Sequence, residues 1–273
     1  MLHRLLLSAG ALTVLAGAGA GAQARTVLVT TSDYSFSAPD SVAAGVTTFQ
    51  LVNRGPELHH MQLIRLEQGK TFADFGEAMK NPGPPPAWVT FLGGPNAGIP
   101  DGRAMVTVTA TLTPGNYVLL CMIPSPDGKP HVVKGMVKPL KVTGRGNVAQ
   151  AGAPSADYVM TLYDYNFDFD KPVKAGNRTI LIKNTAKQFH EALIVKLPPN
   201  TPATAFLDWI HGGQKGQPPV IPMGGIVGLT AGQENLVTLD LEPGEYALYC
   251  FLPAPDGKEH VQHGMFKQFT VSR

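Results

Sequence analysis

Cysteine is nearly absent: the chain of 273 residues holds two, Cys121 and Cys250. Two thiols cannot build a disulfide framework, so the fold has to come from buried apolar surface. Charge is sparse as well, with 15% Asp, Glu, Lys and Arg and a formal net charge of +2. No Lys/Arg block stands out, so the electrostatic footprint of a nucleic-acid binder is missing and no nucleic-acid partner is expected. Beyond the first residues no apolar run approaches the roughly 18 to 20 residues of a membrane span. The sequence also lacks a G-x-S-x-G elbow, a P-loop, an H-E-x-x-H helix and any His-x-His pair. Gly93-Gly94 and Gly224-Gly225 follow Pro-rich stretches and do not open a helix, which argues against a phosphate cradle.

What is present begins with Arg4, an apolar run from Leu5 to Leu15, and small residues ending in Ala22-Gln23-Ala24. This pattern predicts a secretory signal over residues 1–24 and a periplasmic or secreted protein. No Cys stands near the cleavage site to take a lipid.

The remainder is a tandem repeat. A shift of 131 residues lays Asp33-Tyr34-Ser35-Phe36 on Asp164-Tyr165-Asn166-Phe167, and Asn53 on Asn184. A shift of 129 lays Pro114-Gly115-Asn116-Tyr117 on Pro243-Gly244-Glu245-Tyr246, and Pro126-Asp127-Gly128-Lys129 on Pro255-Asp256-Gly257-Lys258. Domains are expected over 25–142 and 158–273, with a Gly/Ala/Ser-rich linker over 143–157. Short β-branched and aromatic runs such as Val27–Thr30, Thr47–Val52, Met105–Thr109 and Tyr117–Leu120 predict an all-β fold, two β-sandwiches in tandem. One short helix interrupts each: Phe72, Phe75 and Met79 behind Thr71, and Phe206 and Ile210 behind a Thr201-Pro202 cap, with Gly212 as the stop.

Each copy repeats a chemical set. Cys121 is followed after nine intervening residues by His131 and after four more by Met136; Cys250, His260 and Met265 keep both spacings. His59 aligns with His190 upstream. A thiolate, two imidazoles and a thioether suit copper, the Met being a weak axial ligand. Zinc on Cys and two His with water is the rival, and Met in fourth place argues against it. A Cys121–Cys250 disulfide would need Cα atoms within ~7 Å across a domain interface.

These segments resemble the cupredoxin, or blue-copper, family. The stretch His131–Met136 is similar to the corresponding loop of copper nitrite reductases, and Gly135-Met136-Val137 is similar to plastocyanin. The resemblance implies Greek-key sandwiches, with one type 1-like copper held by His59, Cys121, His131 and Met136 and a second by His190, Cys250, His260 and Met265. Two departures stand out: the residue after the first His, commonly Asn in the family, is His60 or Glu191, and the Cys-to-His loop is longer than in most members.

Multicopper oxidases of the family add a cluster held by His-x-His pairs, and nitrite reductases place a catalytic copper ligand immediately before the Cys. Here only His60, His211 and His263 remain uncommitted after the signal, and Leu120 and Tyr249 precede the cysteines. The chain is therefore expected not to be an enzyme but a one-electron carrier serving a redox partner protein, with His131 and His260 as surface exit points. Copper sequestration or delivery in the envelope, and a metal-free scaffold, are the alternatives.

Overall fold

The computed structural model describes residues 24–81, 83–98, 100, 105–144 and 153–273. The expected signal segment, apart from its last residue, and linker positions 145–152 lie outside them. Among the described residues no helix is long and apolar enough to cross a membrane.

The first copy runs β1 (Arg25–Ser32), β2 (Ser35–Ser37), β3 (Ser41–Ala43), β4 (Gly45–Asn53), β5 (Gln62–Leu66), α1 (Phe72–Ala78), β6 (Val89–Phe91), β7 (Met105–Leu112), β8 (Gly115–Leu120) and β9 (Val137–Thr143). The second runs β10 (Tyr158–Tyr163), β11 (Asn166–Phe169), β12 (Gly176–Asn184), β13 (His190–Lys196), α2 (Thr204–His211), β14 (Ile221–Leu229), β15 (Glu234–Leu241), β16 (Gly244–Tyr249) and β17 (Phe266–Val271). Every strand expected from composition falls inside one of these elements.

Each copy is a Greek-key sandwich. In the first, β2-β1-β4-β7 faces β3-β9-β8-β5-β6; in the second, β11-β10-β12-β15 faces β14-β13-β16-β17. The first strand of each copy pairs antiparallel with the strand after the Asp-Tyr turn, β1 with β2 and β10 with β11, and parallel with a later one, β4 and β12. Alternation places Val27, Val29, Phe49 and Leu51 inward in one core, and Met160, Leu162, Ile180 and Ile182 in the other. Each such side chain contributes about 1.5–3 kcal/mol by leaving water. The repeated Pro-Gly-x-Tyr motif closes a tyrosine corner: the Tyr117 hydroxyl donates to the Thr113 carbonyl at 2.8 Å, and Tyr246 to Glu242 at 3.0 Å.

The sandwiches share a sheet. β7 pairs antiparallel with β15, joining the two halves into eight strands. The register sets Val108 against Val237, Thr107 against Thr238 and Thr109 against Leu236. Residues 92–98 then bridge to β14 through Leu92–Leu229, Pro95–Ile226 and Gly98–Met223.

The glycine pairs have a steric cause. Gly94 adopts φ +121°, where a Cβ would lie 2.2 Å from the Met61 carbonyl oxygen. Its counterpart Gly225, at φ +112°, would meet the Ala192 oxygen at 2.0 Å. Both sit where a chain crosses closely over the backbone two residues after the first His.

The helices differ from expectation in one respect. α1 begins as predicted, with a reciprocal capping box between Thr71 and Asp74, and only Phe75 of its apolar residues is buried. α2 starts at Thr204 behind Ala203 with no side-chain cap, two residues beyond the expected Thr201 cap position, and Thr201 N–H instead closes a turn on the Pro198 carbonyl.

Candidate metal centres

Asn53 and Asn184, the last residues of β4 and β12, organise the loops that carry the first histidines. The Asn53 amide donates to the Glu57 carbonyl at 2.7 Å while its oxygen accepts from Gly55 N–H. Asn184 does the same with Gln188 and Ala186. The chain is thus turned so that His59 and His190 enter the sandwich interior.

The longer Cys-to-His loop folds back on itself. Ser125 and Lys129 pair around the Asp127-Gly128 turn, so that His131 N–H reaches the Ile123 carbonyl and Val132 N–H the Cys121 carbonyl. In the second copy Ala254 and Lys258 pair, returning His260 to Leu252 and Val261 to Cys250. The extra residues form a lateral excursion and leave the Cys and His adjacent.

Three donors converge in each copy. His59, Cys121 and His131 present ligand atoms within 4.8 Å of one another, as do His190, Cys250 and His260, and all six residues are fully buried. His59 Nδ1 stands 3.0 Å from His131 Nδ1, and Cys121 Sγ 3.4 Å from the latter. The corresponding separations in the second copy are 2.9 Å and 3.2 Å. Met136 and Met265 are fully buried, and their carbonyls accept the Cys121 and Cys250 N–H groups, which places each Met beside its Cys on neighbouring backbone. The two thiols are unpaired, which removes the disulfide.

The far side of each imidazole fixes its tautomer. His59 Nε2–H donates to Asp33 and His190 Nε2–H to Asp164, each at 2.9 Å; His131 donates to Glu57 at 2.8 Å and His260 to Gln188 at 3.2 Å. With protons committed to Nε2, the two Nδ1 atoms of each centre face one another lone pair to lone pair. Burial holds His59 and His190 below the ordinary imidazole value, and pushes His260 down to about 4, so a bridging proton is disfavoured. A cation between them resolves the contact, and nitrogen with sulfur selects a soft one. The thiols are neutral without it: burial pushes Cys121 up to about 12 and Cys250 well above its usual value. Backbone N–H groups of His60 and Glu191 nevertheless aim at the sulfurs, at 3.5 Å and 3.4 Å, ready to support a thiolate. Each group can hold one copper ion.

The departures at His60 and Glu191 are equivalent in function. His60 Nε2 accepts the N–H of Met122, the residue after the Cys, at 2.9 Å; a Glu191 oxygen accepts that of Phe251 at 2.8 Å. Burial drives His60 down to about 3 and Glu191 up to about 7, so both are tethers made of uncharged or weakly charged groups. The other leftover histidines do not gather: His211 pairs with Glu259 and His263 with Asp256.

One expectation fails. His131 and His260 were to emerge at the surface, yet each is enclosed. Tyr34 and Tyr165 lie edge-on to these rings at 5.3 Å, held there by a left-handed backbone at φ 64° and 67°. Asp33-Tyr34 and Asp164-Tyr165 were legible as repeat markers, and the retained pair was the available signal that they serve the site. Glu57 and Gln188 carried no such signal, since the residue type changes between copies.

No protein-family model and no curated protein matches the chain. Among solved structures, auracyanin from Roseiflexus castenholzii is 26% identical over 42% of this chain and 95% of its own, with a TM-score of 0.29. A blue copper oxidase from Nitrosomonas europaea is 15% identical over 92% of this chain and 86% of its own, TM-score 0.29. A Cu-containing nitrite reductase from Thermus scotoductus is 9% identical over 92% of this chain and 61% of its own, TM-score 0.24. The expectation that the chain is not an enzyme is corrected by this comparison, because proteins named as an oxidase and a reductase match across nine-tenths of it. The missing His-x-His pairs had excluded one kind of catalytic cluster, which is a narrower conclusion than the absence of catalysis. Donor geometry, rather than these likenesses, carries the reading of the centres as tandem cupredoxin-like copper sites.

Proposed function

We propose that this copper-binding protein is exported and moves single electrons through two mononuclear centres, one in each sandwich, in exchange with a redox partner protein. The observation that carries the reading is the paired arrangement of two buried imidazoles, Nδ1 facing Nδ1 beside a Cys sulfur.

Copper would be held by His59, Cys121 and His131 and by His190, Cys250 and His260, with Met136 and Met265 beside the two sets, and would supply a one-electron couple. The chain contributes rigidity: Asp33, Glu57, Asp164 and Gln188 lock the imidazoles, and the loop hydrogen bonds lock each Cys against its His. Ligands that keep one geometry in both oxidation states reduce the rearrangement accompanying each transfer. Full burial of the donors keeps water from the metal position. Because Tyr34 with Glu57, and Tyr165 with Gln188, stand over the second histidines, a partner meets these side chains first.

Loading with Cu(II) tests the reading. The expected result is an intensely coloured protein with two coppers per chain and a reversible one-electron response. Colourless protein without a redox wave would refute it, and tight Cu(I) binding with slow electron self-exchange would assign the sites to copper storage or delivery.

A further inference from the structure

A cavity of about 550 Å³ lies between the two sandwiches, separate from both donor sets. This volume falls within the roughly 300–1,000 Å³ of small-molecule sites. Phe75 from α1, Phe206 from α2, and Phe189 and Phe251 beside the second centre give it aromatic walls.

The polar groups on its wall fall into two sets. Glu191 is satisfied, one oxygen accepting Phe251 N–H and the other the Asn96 amide at 3.2 Å; Glu259 pairs with His211. His60 and Gln62 are different. His60 Nε2 accepts Met122 N–H, which places the ring proton on Nδ1, and that nitrogen has no hydrogen-bond partner among the described residues. The Gln62 amide donates to the carbonyls of Leu63, Gly93 and Gly228, while its oxygen likewise has none among them. These residues are only 7% and 3% exposed. Among the described residues Arg65 Nε is the one fully buried side-chain polar atom without a partner, so these two atoms keep contact with the open cavity, where a ligand group can take the place of water on them.

We propose that this interdomain cavity binds a small neutral hydroxy-aromatic molecule, its hydroxyl accepting from His60 Nδ1–H and donating to the Gln62 oxygen while its ring lies among the phenylalanines. A hydroxyl group is both donor and acceptor, as the two unmatched atoms require. No charged side chain on the wall is left without a partner among the described residues, so an ionised ligand would go unneutralised. The site does not depend on copper.

The test uses the full-length mature protein, with and without copper, titrated with 2-naphthol, 2-methoxynaphthalene and naphthalene by calorimetry. One equivalent of 2-naphthol is expected to bind, at least ~10-fold tighter than either control, since methoxy cannot donate and naphthalene can do neither. Metal-free protein is expected to bind it equally, so loss of the copper reading leaves this result intact. Ala78→Trp, at a half-buried position on the cavity wall at the end of α1, is expected to abolish binding while copper stoichiometry and thermal stability hold. No binding of 2-naphthol, equal binding of the three compounds, or binding unaffected by Ala78→Trp would each overturn the proposal.

Discussion

The two centres differ in the partner of the second histidine, and that difference has a calculable effect on potential. His131 donates to the Glu57 carboxylate, whereas His260 donates to the neutral Gln188 amide. Burial of Glu57 works against ionisation, but hydrogen bonds from Ser125, His131 and Tyr34 outweigh it and hold the carboxyl below its usual range. Glu57 is therefore an anion beside His131, and the equivalent position on the second centre, Gln188, is neutral. An oxidised centre carries one more positive charge than a reduced one, so this anion stabilises the oxidised state and lowers the potential. Across the imidazole the carboxylate lies roughly 6 Å from the donor cluster, which gives nearly 3 kcal/mol at an effective dielectric of about 20. The Glu57 side chain is 24% exposed. Solvent screening reduces the effect to about 1–2 kcal/mol. A tenfold change in a one-electron equilibrium is 59 mV, so Glu57→Gln should raise the first centre by about 40–90 mV. The measurement is a spectroelectrochemical titration in a Cys250→Ser background, where only the first centre remains. Gln188→Glu in a Cys121→Ser background should lower the second centre by a similar amount. A Glu57→Gln shift under ~10 mV, or one to lower potential, would show that charge on Glu57 does not reach the metal position.

Cys121→Ser and Cys250→Ser should each halve the copper bound per chain, measured by elemental analysis on folded protein. Gly94→Ala and Gly225→Ala place a methyl against the carbonyl two residues after the ligating His, at 2.2 Å and 2.0 Å, so each should lose at least ~2 kcal/mol in denaturant titrations. Met136→Leu should keep the copper and shift only the first centre's potential, because an axial thioether is weakly bound and tunes rather than holds the ion. Thr71→Ala removes the side-chain cap of α1 and should cost about 1 kcal/mol, read from thermal unfolding.

Much of the site was legible because its donors are chemically rare and repeat at fixed spacing. Cys121, His131, Cys250 and His260 could be paired on sequence alone, and the structure brings them together with His59 and His190. The partners on the outer nitrogens were not legible, because Asp, Glu and Gln are common and their role depends on where a loop returns. The burial of His131 was hidden for a related reason: Tyr34 reaches it from a turn between β1 and β2, nearly a hundred residues earlier. Strands followed from composition, but the join of β7 with β15 did not. An edge that meets another edge has the same alternating pattern as one that meets water.

That join has a symmetry. Under the 129-residue repeat Val108 corresponds to Val237, and the register sets these two opposite each other, so each strand meets its own equivalent about a local twofold axis. This is the isologous contact that two identical subunits make. A fragment carrying a single half would present the same open strand to a second copy, and a homodimer of halves, rather than a monomer, is the assembly expected when the two are expressed apart.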